Sequence, residues 1–256
     1  MRTLPRSFVE NYTNQLHSLT DVARQKLTGA LSHLNPDSPS FRDSVAGLFE
    51  YHAHVSAEAA AEISAAFYRA ASAYLTGESP DVVAESGYES EAALSAAYAI
   101  EDSTASQADM ARQLGNALSY QINRAAGRAS RNCGKQDRRE PRFARVPTGT
   151  ETCAWCVMMA GLGFHFLTEE TASHTHAGCD CRIVPQWGIG GVEGYDPDRY
   201  RDLWRDANDL RISGEIPDEV QQRIDRARAA AKEAGRPWVE DMNGTEIVMR
   251  HMYGMK

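Results

Sequence analysis

Cys153-Ala-Trp-Cys156, followed at residues 174–181 by His-Thr-His-Ala-Gly-Cys-Asp-Cys, decides how the second half of this 256-residue chain is read. Four of the five cysteines fall within the 29 residues from 153 to 181. Zinc takes thiolate and imidazole ligands in tetrahedral sites, and a Cys-x2-Cys pair followed by a second Cys/His cluster is the usual sequence form of such a site. Cys153, Cys156, His176, Cys179 and Cys181 are the candidate ligands, one more than a tetrahedral site takes, and His174 is a sixth. On an extended chain Cys179 and Cys181 point to the same face. Either both look towards one ion, or one ligates while the other packs. A closed thiolate-rich set leaves no position for water or substrate, so the expected role of Zn2+ is structural, fixing the irregular stretch from Gly161 to Ala172.

Outward from this centre the two flanks differ in character. Downstream, Arg182-Ile-Val-Pro185 reads as a short strand ended by proline. Beyond Gly188-Ile-Gly-Gly191, Asp196-Pro197 sets a cap and a first-turn proline before a helix through Tyr200, Leu203, Trp204, Ala207 and Leu210. Pro217 opens another helix through Val220, Ile224, Ala227 and Ala231 to Gly235. A methionine-rich piece, Met249 to Met255, closes the chain.

Upstream, the first half has helical periodicity. Ser7 and Glu10 form a capping-box pattern, and Phe8, Tyr12, Leu16, Leu19, Ala23, Leu27, Ala30 and Leu34 recur every three or four residues before Asn35-Pro36. A second start at Ser40 leads a long face (Val45, Leu48, Phe49, His52, Val55, Ala59, Ile63, Phe67, Ala70 and Tyr74) to Thr76-Gly77. Its many alanines favour helix and permit close helix approach. A third segment from about Ser90 breaks at Ser103-Thr104 and resumes through Met110, Leu114, Leu118, Ile122 and Ala126, as one bent helix or two. His52 and His54 are read as packing or surface residues of an amphipathic helix.

The expected fold is therefore α+β, predominantly α. Residues 1–127 form a helical N-terminal domain, 128–147 a basic loop-like linker, 148–195 a small zinc-stabilised, zinc-ribbon-like domain, and 196–256 accessory helices. No apolar run approaches the length of a membrane span, and Met-Arg-Thr-Leu-Pro-Arg lacks a secretory core, so the chain is expected in a cytoplasm with no membrane partner. A reducing compartment and an odd cysteine count favour metal-bound thiolates over disulfides.

The net charge of −8 disfavours general nucleic-acid affinity, but it is unevenly spread. Residues 124–145 carry +6 and the remainder −14. Within that segment Arg138, Arg139, Arg142 and Arg145 are candidate contacts for an acidic partner or a phosphate backbone, against the plainer reading of a solvated helix end and linker. Enzymatic readings find little. A nucleobase deaminase needs His-x-Glu and Pro-Cys-x-x-Cys, both missing here. A nuclease can draw bases from His165, His174 and His176 but lacks a carboxylate–histidine metal set. Protease nucleophiles are limited to unordered candidates, Ser173 beside His174 and the lone Cys133. No catalytic residue is assigned, and a non-enzyme is the favoured reading.

The run Arg142-Phe-Ala-Arg-Val-Pro-Thr-Gly149, then Thr152-Cys-Ala-Trp-Cys-Val-Met-Met-Ala-Gly-Leu-Gly163, then His174 through Pro185, resembles minor capsid proteins of tailed bacteriophages and prophages, above all those of actinobacteria. It is also similar to the wider Mu F-like head morphogenesis family. The resemblance covers roughly residues 128–200, and Gly194-Tyr-Asp-Pro197 adds to it. It implies a few-copy protein inside the phage head, made in the host cytoplasm. Such a protein associates with the portal, with scaffold or major capsid protein as further partners, and acts in procapsid assembly or DNA packaging and ejection. It implies a structural zinc held among Cys153, Cys156, His176, Cys179 and Cys181. The alternative is a capsid maturation protease or a zinc-stapled nuclease acting in head assembly.

Overall fold

A computed structural model describes residues 2–104, 106–149, 152–166, 168–176 and 179–255, the side chain of Glu169 excepted. Thr150 of the Thr148-Gly149-Thr150 lead-in and Ala177-Gly178 of the second cluster lie outside the described residues.

Helices α1 (Arg6–Leu31), α2 (Phe41–Thr76), α3 (Ser90–Ser103) and α4 (Gln107–Gln136) build the first part, so the third expected segment is two helices. Ser106 begins the second of them, its hydroxyl accepting the Asp109 backbone N–H at 3.2 Å. The capping box expected at Ser7 does not form. Helix α1 starts two residues earlier, behind Pro5, and Glu10 instead faces Arg6 one turn back at 3.8 Å. Helix α2 ends where Gly77 turns left-handed at φ +83°, a conformation that glycine adopts without the Cβ clash.

Helix α2 is the central element, and its small residues are the deepest. Ala53, Ala57, Ala60, Ala61, Ser64 and Ala65 are buried, while Val55, expected on the inner face, is 52% exposed. A line of alanine and serine lets α1 and α4 come close, and large side chains fill the space on either side: Tyr12 stacks on Phe67 at 4.4 Å and donates or accepts with Ser64 Oγ at 2.7 Å.

Strands β1 (Arg142–Pro147) and β2 (Cys181–Gln186) pair antiparallel, Phe143 opposite Pro185 and Pro147 opposite Cys181. Both prolines fit for one reason. Phe143 exchanges its N–H and C=O with His165 on the other side of β1, at 2.7 and 2.8 Å, so its pairing with Pro185 carries no ladder bond. Alternation gives Pro147 the same kind of position, where a missing N–H is harmless.

The basic linker expected over 128–147 is a correction. Residues 128–136 continue α4 with Ala129, Ser130 and Cys133 buried, and 142–147 are a strand that is buried after its first residue. Ala144, Val146 and Val184 of the sheet join the buried cluster of the four helices, so one core runs across the expected boundaries at 127 and 147. Residues 2–6 lie along the far side: Leu4 exchanges backbone bonds with Gly191 and Glu193 at 3.0 and 2.9 Å, and Arg6 Nη2 reaches the Pro147 carbonyl at 2.6 Å.

Helix α5 (Ala154–Gly161) follows β1, and the five-residue α6 (Glu169–Ser173) precedes β2. The chain ends in α7 (Pro197–Ser213), α8 (Asp218–Glu233), a π-helical turn (Glu240–Gly244) and α9 (Thr245–Tyr253). Asp196 caps α7 ahead of Pro197 as expected. These helices share a separate apolar cluster with α5, formed by Ala154, Val157, Ala207, Val220, Ile224, Val248 and Met249, so Met249 of the methionine-rich tail is a core residue. Among the described residues no helix is long and apolar enough to cross a membrane.

Candidate metal centre

The sheet brings the two halves of the cysteine motif to one end. Cys181 opens β2 opposite Pro147, where β1 ends, and α5 starts a few residues after that point. Cys153 is the N-cap of α5, and its Sγ accepts the Cys156 backbone N–H at 3.3 Å. The first pair therefore sits on a helix start, where the free N–H groups and the dipole favour thiolate.

Cys153, Cys156, Cys179 and Cys181 form one buried cluster with Trp155 at its edge, none more than 6% exposed and none disulfide-bonded. Two overlapping ligand sets meet in it. Cys153, Cys156 and His176 place their ligand atoms within 4.8 Å of one another, and so do Cys156, Cys179 and Cys181. Cys156 Sγ lies 3.7 Å from Cys179 Sγ. Metal–sulfur bonds of about 2.3 Å put tetrahedral ligands about 3.8 Å apart, so that spacing fits two sulfurs of one site.

The electrostatics alternate around the cluster. The Cys156 thiol and then His176 hydrogen-bond Cys153 and push it down to about 4, while the same contact, together with Cys179, Cys181 and burial, drives Cys156 well up. Hydrogen bonds from Cys156 and Cys181 hold Cys179 far below the ordinary thiol range. For Cys181 the Cys156 contact pulls downward, but Cys179 and burial outweigh it and the thiol is raised. A divalent cation bound among these thiols would take the place of their protons.

Two arginines that end up inside hold the ligand-bearing loop. Arg145 of β1 donates from Nη2 to the carbonyls of Thr171 and His174 at 2.7 and 2.5 Å, and its guanidinium lies over the Trp155 ring at 4.7 Å. Arg182 of β2 donates from Nη1 to the carbonyls of Cys179 and Cys181 at 3.3 and 3.1 Å, and from Nη2 to His17 Nε2 at 3.2 Å. His174, the sixth candidate, stacks on Trp155 at 3.7 Å and belongs to neither ligand set. Helix α4 closes the back of the loop through Gly127, where a Cβ would run into the Ala172 carbonyl.

The other expected site residues fare differently. Arg145 is 2% exposed, so its assignment as a partner contact is corrected. Arg139 is half-buried and grips Asp137, Ser72 and Thr76. Arg124 and Arg128 face Glu89 at 3.4 and 2.8 Å. Exposed in the basic segment are Lys135, Arg138 and Arg142, beside a cavity of about 430 Å³ that Arg131, Lys135, Arg138 and Phe166 help line. Arg142 stacks on Phe166 at 5.6 Å. His165 is the backbone partner of Phe143, and Cys133 sits among Tyr68, Phe143 and Ile183, where burial pushes its thiol up to about 11 and leaves it a poor nucleophile. The residues that motif reading missed are Arg182 and Trp155. Their signal is position only, an arginine one step past the last cysteine and a tryptophan inside the first pair.

The fold and this centre define a class: a mainly helical protein with a two-stranded sheet whose end gathers buried cysteines into a metal-type cluster. The chain belongs to the VG15 protein family, whose profile matches residues 3–207 and so takes in α1 to α6, the sheet and every candidate ligand. It is similar to the Gene 15 protein of Mycobacterium phage D29, 33% identical over 97 aligned residues that cover 25% of this chain and 35% of that protein. It is also similar to the Gene 15 protein of Mycobacterium phage L5, 31% identical over 107 residues covering 26% and 36%. The chain spans about a third of the length of these curated relatives. No solved structure matches it significantly. These relationships make it a phage protein.

Proposed function

We propose that this chain is a non-enzymatic minor head protein of a phage particle in which a structural Zn2+, bound by the cysteine cluster, locks the sheet and the ligand loop onto the helical core. One observation carries the zinc reading: four free cysteines, each at most 6% exposed, converge at one end of the sheet. An ion enclosed by them has no open face for water or substrate, which makes its work folding rather than chemistry. Membership of a phage protein family, together with the likeness to minor capsid and Mu F-like head proteins across residues 128–200, supports a place in the head beside the portal. Scaffold or major capsid protein and packaged DNA are the further partners in this reading. Their contact is the exposed cationic group of Lys135, Arg138 and Arg142.

Two measurements test the reading. Elemental analysis of the purified full chain is expected to give about one equivalent of zinc, removed together with stability by a chelator. Less than about half an equivalent, with Cys153→Ser and Cys181→Ser unchanged in stability, sinks the zinc assignment. Mass spectrometry of purified particles is expected to find the chain in mature heads. Its absence there, or specific cleavage of capsid protein or DNA that a single His or Cys substitution abolishes, overturns the structural role.

A further inference from the structure

Resting on the zinc reading above, we infer that the ligand set is the four cysteines, Cys153, Cys156, Cys179 and Cys181, with buried Arg145 and Arg182 as the counter-charges of that tetrathiolate and His176 as a hydrogen-bonding neighbour.

The argument begins with charge. Arg145 and Arg182 are 2% and 3% exposed, and among the described residues neither has a carboxylate within ion-pair distance. Their hydrogen bonds go to neutral acceptors: carbonyls, Asn123 Oδ1 and the His17 ring. A guanidinium does not give up its proton in a protein, and an uncompensated buried charge is strongly disfavoured. Zn2+ with four thiolates carries −2, whereas three thiolates and a neutral imidazole leave −1. Two guanidiniums against the tetrathiolate leave no net charge inside.

Position agrees with this count. Arg182 bonds the carbonyls of both later cysteines, and Arg145 lies on Trp155, between the two earlier ones. Asp180, the half-buried carboxylate next to them, turns to the Gly149 backbone and to Cys181 Sγ at 3.8 Å; it attracts Arg182 at longer range from the edge of the site, outside the charge count of the buried centre. The four cysteines share one buried cluster, whereas His176 is half-buried, lies within ligand distance of Cys153 and Cys156 but in no set with Cys179 or Cys181, and hydrogen-bonds Cys153. Outer partners of this kind hold ligands in place and tune affinity without bonding the ion.

Cobalt substitution of the full chain tests the assignment, because the thiolate-to-cobalt charge-transfer band grows with each sulfur and the ligand-field bands move when nitrogen replaces sulfur. His176→Ala is expected to bind Co2+ with wild-type bands, while Cys179→Ser and Cys181→Ser each lose charge-transfer intensity. Arg145→Gln and Arg182→Gln are expected to bind about 10- to 100-fold more weakly with the band pattern kept, and Arg182→Lys to recover part of the loss. A shifted or abolished spectrum in His176→Ala overturns the ligand set, and wild-type affinity in both glutamine variants overturns the charge role. If a glutamine variant does not fold by circular dichroism, charge-preserving Arg145→Lys and Arg182→Lys replace it, and a loss of Co2+ affinity as large as that of Cys181→Ser overturns the charge role. Wild-type protein that binds neither Co2+ nor Zn2+ instead removes the zinc reading itself.

Discussion

The phenol of Tyr68 donates to Oδ2 of Asp137 at 3.0 Å, joining the last third of α2 to the residue that ends α4. Trp187 Nε1 and Arg139 Nη2 reach the same oxygen at 3.0 and 2.7 Å, and Arg139 Nε and backbone N–H reach Oδ1 at 2.9 and 3.0 Å. Arg139 continues to Ser72 Oγ and Thr76 Oγ1. One buried carboxylate thus ties α2, the turn after α4 and the chain after β2. Asp137→Ala is expected to cost about 3–5 kcal/mol because it strands a half-buried guanidinium and two donors, whereas Tyr68→Phe removes one hydrogen bond at about 1 kcal/mol. Urea unfolding of both variants checks the ranking, and equal losses refute it.

The same carboxylate makes stability depend on acid. Burial acts to raise Asp137, and hydrogen bonds from Arg139, Tyr68 and Trp187 overcome it, leaving the group at about 2. A folded-state value below the unfolded one, about 3.9, contributes stability that is present above pH 4 and lost as pH falls through 2. The contribution is about 2 kcal/mol. Melts from pH 6 to 2.5 are expected to show this loss in the wild type and a smaller one in Asp137→Asn. Parallel curves would remove Asp137 from the acid response.

Gly127 supplies a prediction in which sign is the test. In a helix interior alanine is favoured over glycine by about 1 kcal/mol. At this position the added methyl meets the Ala172 carbonyl, so Gly127→Ala is expected to destabilise by about 1–3 kcal/mol and to weaken metal binding by shifting the loop before His174. A thermal melt above that of the wild type shows that α4 does not press on the loop.

Cys133 separates the fifth cysteine from the other four. Its thiol is fully buried, and burial raises it to about 11, so alkylation of the native protein at pH 8 is expected to be slow and to track unfolding. Cys133→Ala is expected to leave metal content unchanged, in contrast to Cys156→Ser. Loss of metal in Cys133→Ala would bring the fifth cysteine into the centre.

Periodicity and punctuation made the helices legible, because amphipathic repeats and residues such as Gly77 and Asp196-Pro197 act locally. The candidate ligands were legible for the same reason: thiolate chemistry is carried by residue type and spacing. Burial that depends on distant chain segments was not. Val55 looks like a core residue until close packing turns the alanine and serine line of α2 inward. Residues 142–147 look like a basic loop because Arg142 and Arg145 dominate the stretch. Only the pairing with β2, the exchange with His165 and the carbonyls waiting for Arg145 show how a strand takes in that charge. Which arginines face solvent is a property of tertiary structure, and residue counts cannot separate Arg138 from Arg145.

That separation yields a sharper test of partner binding than charge alone. Arg138→Glu with Arg142→Glu alters exposed side chains beside the cavity lined by Lys135 and Phe166, so the melt is expected to move little while association with DNA or portal weakens. The weakening should shrink as salt rises, because screening already removes long-range attraction between exposed charges. Arg139→Glu places a second carboxylate against Asp137, and Arg145→Glu aims one at the carbonyls of Thr171 and His174. Both are expected to lose stability first and binding only as a consequence. Wild-type affinity and wild-type salt dependence in the Arg138/Arg142 variant, measured by anisotropy with labelled DNA and by pull-down with portal, would return these cations to the role of a solvated helix end.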